Sequence, residues 1–198
     1  MRSGKEVAIM TKRNPLTEKH IETIVHKGVE FEVVERPDVV WVGCAAYADN
    51  NTDPPFSDED MSLLGRYQSL LEIPKQDLIN PDWSAAISMH YGCEDKASGI
   101  MFAQETYSKN QDARYDIFVQ PGGLWLRLLN DGKAAALLGK QNPAPYEYFV
   151  ESQIMQNAAK ENGYMQNPDV SVQIEYNCHA EYNTPPHRRY AYIPAVKM

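Results

Sequence analysis

The chain has 198 residues, of which 43% are hydrophobic and 23% are charged, the balance expected of one globular domain or two small ones. Its net charge of -8 and pI near 5.1 argue against direct binding to nucleic acid or to an anionic membrane, since both require clustered lysine and arginine. No run of about 18 apolar residues is present, so we expect no membrane-spanning segment.

The cysteines and histidines indicate neither a disulfide framework nor a metal site. Cys44, Cys93 and Cys178 are odd in number and lack the CxxC spacing of structural zinc sites. The histidines show no metal-ligand spacing, and there is no glycine-rich phosphate loop. The N-terminus lacks the apolar segment of a signal peptide. We therefore expect a reduced, cytoplasmic protein with no cofactor and no metal.

Residues 1–28 are predicted to form a basic N-terminal arm. The arm has six lysines and arginines against three glutamates, and it is too short for a helix-turn-helix domain. Residues 17–25 have the pattern of a short helix with Thr17 at its N-cap. We expect the arm to be solvated and to precede a single domain at residues 29–198.

Two extended segments open that domain, at residues 30–35 and 39–47. Pro37 lies between them and predicts a bend, because proline has no backbone N–H to donate to a strand ladder. The second segment is apolar throughout, which is typical of a central strand. Gly43 lies within it and is small enough for another part of the chain to approach closely.

An amphipathic helix is predicted after a polar, proline-rich loop. Apolar side chains recur at helical spacing from Leu63 to Leu71, and the helix is expected to end before Pro74. Two strands come next, at residues 85–91 and 99–106, joined by a turn-rich link.

The same order of elements then recurs along the chain. Six further segments have extended or helical patterns: strands at 115–119, 123–129, 167–177 and 189–196, and helices at 133–140 and 146–161. Strands that adjoin helices in this order predict an α+β fold with an antiparallel sheet and helices on one side.

The strand at 167–177 carries an acidic residue in an unusual place. Its apolar side chains alternate with polar ones, and Glu175 comes near its end, between Ile174 and Tyr176. If this face is open to water, Glu175 is only solvated. If the face lines a cleft, a partly desolvated carboxylate among aromatic rings is a receptor for a cation. Tyr176 lies on the other face, so the rings must come from other strands and from the helix after Pro145.

Four motifs, in the same order along the chain, resemble the GyrI-like effector-binding domains. This family includes the C-terminal domains of bacterial AraC-type and MerR-type multidrug-responsive regulators. The four are residues 33–43 (VVERPDVVWVG), 119–132 (VQPGGLWLRLLNDG), 161–177 (from ENGY to the Glu175 strand) and 191–197 (AYIPAVK). The likeness covers residues 29–198. Two departures are that Tyr176 follows Glu175 directly, where the family has Glu-x-Tyr, and that residues 142–145 interrupt the second helical region.

The resemblance implies two β-α-β-β halves related by a pseudo-twofold axis, with a ligand cleft between them. It also implies a hydrophobic, cationic ligand held in an aromatic cleft by a central glutamate, which by position in the motif is Glu175. The expected function is a standalone small-molecule binding protein with a regulatory or sequestering role and no DNA-binding part of its own.

The cleft walls are predicted to be aromatic, because a ring attracts an organic cation by roughly 0.5–2 kcal/mol. Trp125 is the first choice, since it shares a strand face with Arg127 while leucines occupy the other face. The candidate ligand-binding residues are Glu175, Trp125, Trp41, Tyr91, Phe102, Tyr146 and Tyr148.

Two alternatives stay open. Some family members are hydrolases with paired glutamates in the same cleft, which here would be Glu105 and Glu175 as catalytic residues. A second carboxylate raises the pKa of the first and allows general acid–base work on water. The other alternative is a protein-binding module that captures gyrase, as the gyrase inhibitor does, or that acts with a separate regulator chain.

Overall fold

The structure is a computed structural model, and it describes residues 18–48, 62–79, 81, 83–89, 97–130, 148–178 and 189–198. Within these ranges the side chains of residues 148–153 and 175–178, and those of Leu64, Trp83, Leu129, Asn130 and Arg189, lie outside the description. The helix predicted at 133–140 also falls outside the described residues.

The described part of the chain contains ten strands and two helices. The strands are β1 (Lys19–His26), β2 (Val29–Arg36), β3 (Val39–Tyr47), β4 (Trp83–Met89), β5 (Gly99–Thr106), β6 (Asp116–Gln120), β7 (Gly123–Asn130), β8 (Tyr164–Gln166), β9 (Val172–Cys178) and β10 (Arg189–Lys197). The helices are α1 (Leu63–Ser69) and α2 (Tyr148–Glu161). Neither helix is long and apolar enough to cross a membrane.

All the strands belong to one sheet, in the order β1-β2-β7-β10-β9-β4-β5-β3-β6, with β8 paired to the end of β10. The pairings are antiparallel throughout. The predicted α+β fold with an antiparallel sheet is therefore confirmed.

Both helices cover the same face of this sheet, which we call the helix-side face. Helix α2 packs on Leu126, Leu128 and Ala191 of β7 and β10, whereas α1 packs on Cys44 and Phe102 of β3 and β5. The strand register joins these two regions in one row, from Cys44 to Phe102 and, across β4 and β9, to Ala191 and Leu128. Residues in one such row share a face of the sheet.

The opposite face of the sheet, which we call the far face, carries its own apolar cluster. The cluster draws on seven strands: β2, β3, β4, β5, β7, β9 and β10. Its largest side chains, Trp41 and Trp125, are fully buried. Period-two alternation produces this division, since Val172 and Ile174 of β9 point into the far-face cluster as the sequence predicts.

The helix predicted at residues 17–25 is wrong, because this segment forms β1. Lys27 and Gly28 both have positive φ angles, of 50° and 80°, which is the two-residue turn that suits a β-hairpin. The hairpin pairs β1 with β2 along its whole length and buries Ile24 beneath α2. Hairpin pairing with β2 therefore overrides the local helical pattern, and the boundary at residue 28 falls inside this hairpin.

Strand β1 is also fastened to the elements around α2. A hydrogen bond of 2.7 Å joins Nδ1 of the buried His26 to the carboxylate of Glu161, the last residue of α2. The hydroxyl of Tyr164 in β8 donates to Glu22, and this bond raises the pKa of Tyr164 to about 12. The first strand is therefore part of the folded domain.

The order strand, helix, strand, strand occurs twice, as β3-α1-β4-β5 and as β7-α2-β9-β10 with the short β8 inserted. In the sheet, β7-β10-β9 adjoins β4-β5-β3, so the corresponding strands run in mirrored order. The two halves meet where β4 pairs with β9. A twofold axis between the halves stays a prediction.

Strands β3 and β5 approach each other closely at Gly43, as the small size of this residue predicts. A Cβ at this position would lie 1.9 Å from the carbonyl oxygen of Phe102 and 2.7 Å from the Cα of Ala103. Both neighbours are backbone of β5, which is paired on its other edge with β4 and has no room to move.

We expect Gly43→Ala to lower the free energy of unfolding by about 3 kcal/mol or more, because overpacking against backbone forces strands apart. Gly65→Ala is the matched control. Gly65 lies in α1 with nothing within 4 Å of an added Cβ, so alanine should raise the free energy of unfolding by about 0.5–1 kcal/mol. Urea unfolding measures both changes, and equal effects of the two variants would contradict the close approach.

Candidate functional site

A strip of the helix-side face lies between the areas that the two helices cover. Helix α1 packs against β3 and β5, and α2 packs against β1, β7, β8 and β10. Strands β4 and β9 run between these two areas. We call their helix-side residues the central strip, and they are Ser84, Ala86, Ser88, Gln173, Glu175 and Asn177, the last two placed by strand register alone.

Glu175 holds the middle position of this strip. Its register partners are Ala86 on β4 and Ala191 on β10. Since directly opposed residues of an antiparallel sheet share a face, the position of Glu175 is on the helix-side face. Its side chain lies outside the described part of the structure, so its role as the ligand's counter-ion stays a prediction.

Small side chains surround this position. Ala86 and Ala191 are 6% and 7% exposed, and Ser84 is 9% exposed. A floor of alanine and serine fills little of the space above the sheet, and it is at the same time sheltered from water. A carboxylate in such a place is costly to desolvate unless a positive charge or hydrogen-bond donors accompany it.

On the α1 side the strip is bordered by an aromatic pair. Phe102, one of the candidate wall residues, is half-buried and packs against Tyr67 of α1, with ring centroids 6.4 Å apart. Burial raises the pKa of Tyr67 well above its usual value, so this ring stays a neutral phenol. The ammonium of Lys75 lies 5.2 Å from the Tyr67 ring centroid, and burial lowers its pKa.

Trp41 and Trp125, two other candidate wall residues, lie on the far face of the sheet. They are 0% and 1% exposed within one apolar cluster, and the indole N–H of Trp41 donates to Gln120 at 3.0 Å. Neither ring reaches the helix-side face from there. As predicted, Trp125 and the neighbouring leucines of β7 lie on opposite faces of the sheet. The leucines, and not Trp125, lie on the helix-side face.

The remaining candidate wall residues fall outside the description. Tyr91 and Tyr146 are not among the described residues, and of Tyr148 only the backbone is described. Tyr148 is the first residue of α2, the helix on the other side of the central strip from α1. All three stay predictions as ligand contacts.

Glu105, the second carboxylate of the hydrolase alternative, belongs to the far face. It is 2% exposed, it is the register partner of Trp41, and it accepts a hydrogen bond from the guanidinium of Arg36, whose side chain is fully buried. The position of Glu175 is on the opposite side of the sheet. The described geometry thus joins Glu105 to an arginine and gives no support to a pairing with a second glutamate.

The pair of Glu105 and Arg36 is one end of a charged network. Arg36 Nε also lies 3.9 Å from Glu18, which ion-pairs with Arg127, and Arg127 Nε donates to Glu32 at 2.7 Å. Two tyrosine rings complete the network, with the guanidinium carbons of Arg36 and Arg127 4.9 and 5.3 Å from the ring centroids of Tyr192 and Tyr190. The network links strands of both halves on the far face.

An open groove in the described part of the chain lies away from the strip. This groove, of about 580 Å³, follows the end of α1 and is lined by residues 72–74, 76, 110–112 and 114. Asp112 and Arg114 pair within it, and the hydrogen bond from Arg114 holds the pKa of Asp112 well below its usual range. No residue of the central strip lines this groove. Among the described residues, no group of three or more histidine, cysteine or acidic side chains is placed to hold a metal.

The sequence analysis did not single out the floor of the strip. The signal was present in β4, where Ala85, Ile87 and Met89 alternate with Ser84, Ala86 and Ser88. The first set joins the far-face cluster. A strand whose second face carries only serine and alanine, in a sheet that needs helices to cover that face, marks a place to which the strand itself contributes no bulky side chain.

Comparison with known proteins bears on the fold. The sequence matches no family model and no curated protein. Among solved structures, the EcmrR C-terminal domain is similar with a TM-score of 0.54 at 12% identity, over 86% of this chain and 99% of that one. SAV2435 bound to tetraphenylphosphonium has a TM-score of 0.51 at 11% identity, over 84% and 93% of the two chains. The chain has the fold of these domains.

A third similar structure contains a longer chain. The EcmrR–DNA complex matches with a TM-score of 0.52 at 11% identity, over 85% of this chain and 57% of that chain. The fold expected from the resemblance to GyrI-like effector-binding domains is confirmed, and at 11–12% identity the likeness extends to the fold alone.

The far-face network yields a stability prediction. We expect Glu105→Ala to lower the free energy of unfolding by about 3–5 kcal/mol, because it removes a partner from the buried charge of Arg36. Glu35→Ala is the control, since it breaks an exposed ion pair in which Lys19 Nζ lies 3.7 Å from the Glu35 carboxylate. It should lower the free energy of unfolding by less than about 1 kcal/mol. Denaturant unfolding separates the two cases, and similar losses in both variants would contradict a structural role of Glu105.

Proposed function

We propose that this chain binds a hydrophobic organic cation in the cleft between α1 and α2, with Glu175 as the counter-ion. The observation that carries the proposal is the central strip, where an acidic residue stands between Ala86 and Ala191 on a sheltered floor of small side chains. The two helices flank this floor, and Phe102 borders it on the α1 side.

Electrostatics favours a cation in such a place. Two opposite charges 4 Å apart attract by about 1 kcal/mol in water and by about 4 kcal/mol at the dielectric constant typical near a protein surface. A delocalised organic cation also loses less hydration than a compact ammonium when it enters an apolar site. Aromatic walls add roughly 0.5–2 kcal/mol for each ring that faces the charge.

The similar structures support the same class of ligand. Tetraphenylphosphonium, the ligand of SAV2435, is a large hydrophobic cation without a hydrogen-bond donor, and SAV2435 shares this fold. The EcmrR C-terminal domain is part of a protein whose structure was determined with DNA, which supports a regulatory role for this kind of domain. We propose that the present chain acts in the cytoplasm, as a ligand sensor for a separate regulator or as a ligand-sequestering protein.

The proposed walls of the cleft differ from those expected from the sequence. Phe102 remains on the α1 side, and Tyr148 at the start of α2 is our candidate on the other side. Trp41 and Trp125 are assigned to the core because they are buried on the far face. Ligand binding should therefore be followed by calorimetry or equilibrium dialysis, since neither described tryptophan borders the cleft.

The first test concerns the charge of Glu175. Wild-type protein should bind tetraphenylphosphonium and should discriminate against tetraphenylborate, an anion of nearly the same shape. Glu175→Gln should weaken phosphonium binding by about tenfold or more, because it removes an attraction of a few kcal/mol while it keeps the size of the side chain. Isothermal titration calorimetry with both ions measures the two effects.

Glu30→Gln is the matched control, since Glu30 is exposed on β2 beside the outer hairpin. Its affinity for tetraphenylphosphonium should equal that of the wild type. If Glu175→Gln keeps the full affinity and the full preference over tetraphenylborate, Glu175 has no part in ligand recognition.

The second test concerns the space above the floor. Ala86→Leu should lower the affinity for tetraphenylphosphonium by about tenfold or more, because the larger side chain occupies the cleft above β4. Ala86→Ser preserves the volume and should bind as the wild type does. Circular dichroism verifies that both variants are folded. If Ala86→Leu is folded and its affinity for tetraphenylphosphonium is unchanged, the ligand does not bind above Ala86.

A further inference from the structure

The two terminal strands of the sheet, β1 and β6, differ in how their outer edges are protected. An unpaired strand edge presents N–H and C=O groups that pair readily with another strand, and proteins blunt such edges with charges, prolines or bulges. Strand β1 carries Lys19 and Glu22, and a shift of register interrupts its pairing with β2 between His20 and Glu22. A strand that approaches β1 therefore meets charge and irregular geometry.

Strand β6 has none of these devices. Its sequence is Asp-Ile-Phe-Val-Gln, and all five residues pair with β3 without a shift of register. Its one charged residue, Asp116, is engaged within the chain, because its carboxylate accepts hydrogen bonds of 2.7 Å from the backbone N–H of Ala45 and from Arg66. In the part of the chain that the structure describes, no strand pairs with the other edge of β6.

Apolar side chains accompany this open edge. Phe118 packs on the far-face cluster, so its neighbours Ile117 and Val119 point to the helix-side face. They lie opposite Val42 and Val40 of β3, and they are 38% and 36% exposed. Apolar side chains on an unpaired, regular strand favour association with a further strand.

The sequence of β6 is self-complementary in one antiparallel register. Residues that oppose each other across two strands share a face of the sheet, so each residue of β6 pairs with one that points the same way in a second β6. Overlap of all five residues then puts Phe118 opposite its own copy, on a twofold axis. In this register Ile117 opposes Val119, and Asp116 opposes Gln120, so apolar residues meet each other and no like charges meet.

We propose that β6 joins a second copy of this chain by antiparallel pairing about Phe118, which makes a twofold dimer with one continuous sheet. Alternate residues of β6 direct their N–H and C=O groups away from β3, and the second copy supplies the hydrogen-bond partners. The helix-side faces of both copies then lie on the same side of the sheet. Pairing requires no ligand, so this inference is independent of the proposed function.

The interface is small, because it consists of five residues from each copy. Interfaces below about 1,200 Å² are typical of weak and transient complexes, so the dimer should form in a concentration-dependent manner. Sedimentation equilibrium from about 1 μM to 1 mM covers the dissociation constants of such complexes.

Lysine substitutions test the surface. In protein that carries both Ile117→Lys and Val119→Lys, lysine opposes lysine at each of these positions, so the dissociation constant of the dimer should rise by about tenfold or more. Val25→Lys is the matched control, since Val25 is 56% exposed on β1, the other terminal strand. It should leave the dissociation constant unchanged.

A complementary charge exchange tests the register. Protein that carries both Ile117→Glu and Val119→Glu should also dimerise weakly, and its mixture with the lysine variant should form a heterodimer, because each lysine then opposes a glutamate. Circular dichroism verifies folding. If a double variant does not fold, Val119→Lys alone should raise the dissociation constant by about threefold or more.

Three results would overturn the proposal. Wild-type protein that stays monomeric over the whole concentration range has no such interface. A dimer that persists with unchanged affinity in the lysine variant forms through another surface. A mixture of the lysine and glutamate variants that stays monomeric contradicts the register about Phe118. Because no ligand takes part, each of these results leaves the proposed function as it stands.

Discussion

The pairing of β4 with β9 is the interaction on which the rest of the molecule depends. Seven residue pairs, from Trp83 opposite Cys178 to Met89 opposite Val172, join the two halves into one sheet. Because side chains alternate along a strand, this register assigns each residue of both strands to one face. A shift by one residue would move Ile87 and Ile174 out of the far-face core and would move Glu175 away from Ala86.

The two faces created by this register have different physical roles. The far face is densely filled by two tryptophans and a cluster of branched and aromatic side chains, and the carboxylates of Glu18 and Glu105 both lie beside the guanidinium of Arg36 there. The helix-side face is filled beneath each helix, and only small or polar side chains lie between them. Among the described residues, the core thus lies on one face and at the two flanks of the other, and we propose that the middle receives the ligand.

The acidic residues illustrate how the same chemistry serves two purposes. Glu105 is buried beside an arginine of the same chain, an arrangement in which removal of either partner leaves a charge without compensation. Glu175 is placed among alanines, and we propose that its compensating charge comes with the ligand.

The sequence by itself determined eight of the ten described strands, the two described helices, the alternation that separates Trp125 from its leucine neighbours, and the unusual place of Glu175. These features depend on local periodicity, on proline and glycine, and on the order of elements, all of which can be read from adjacent residues. Only the tertiary structure decided that residues 19–26 form a strand, that Trp41 and Trp125 lie on the far face, and that Glu105 meets Arg36. Each of these follows from the partner that a segment meets in the sheet, which the periodicity of the segment itself does not give. Periodicity divides a strand into two faces but does not indicate which face the helices cover.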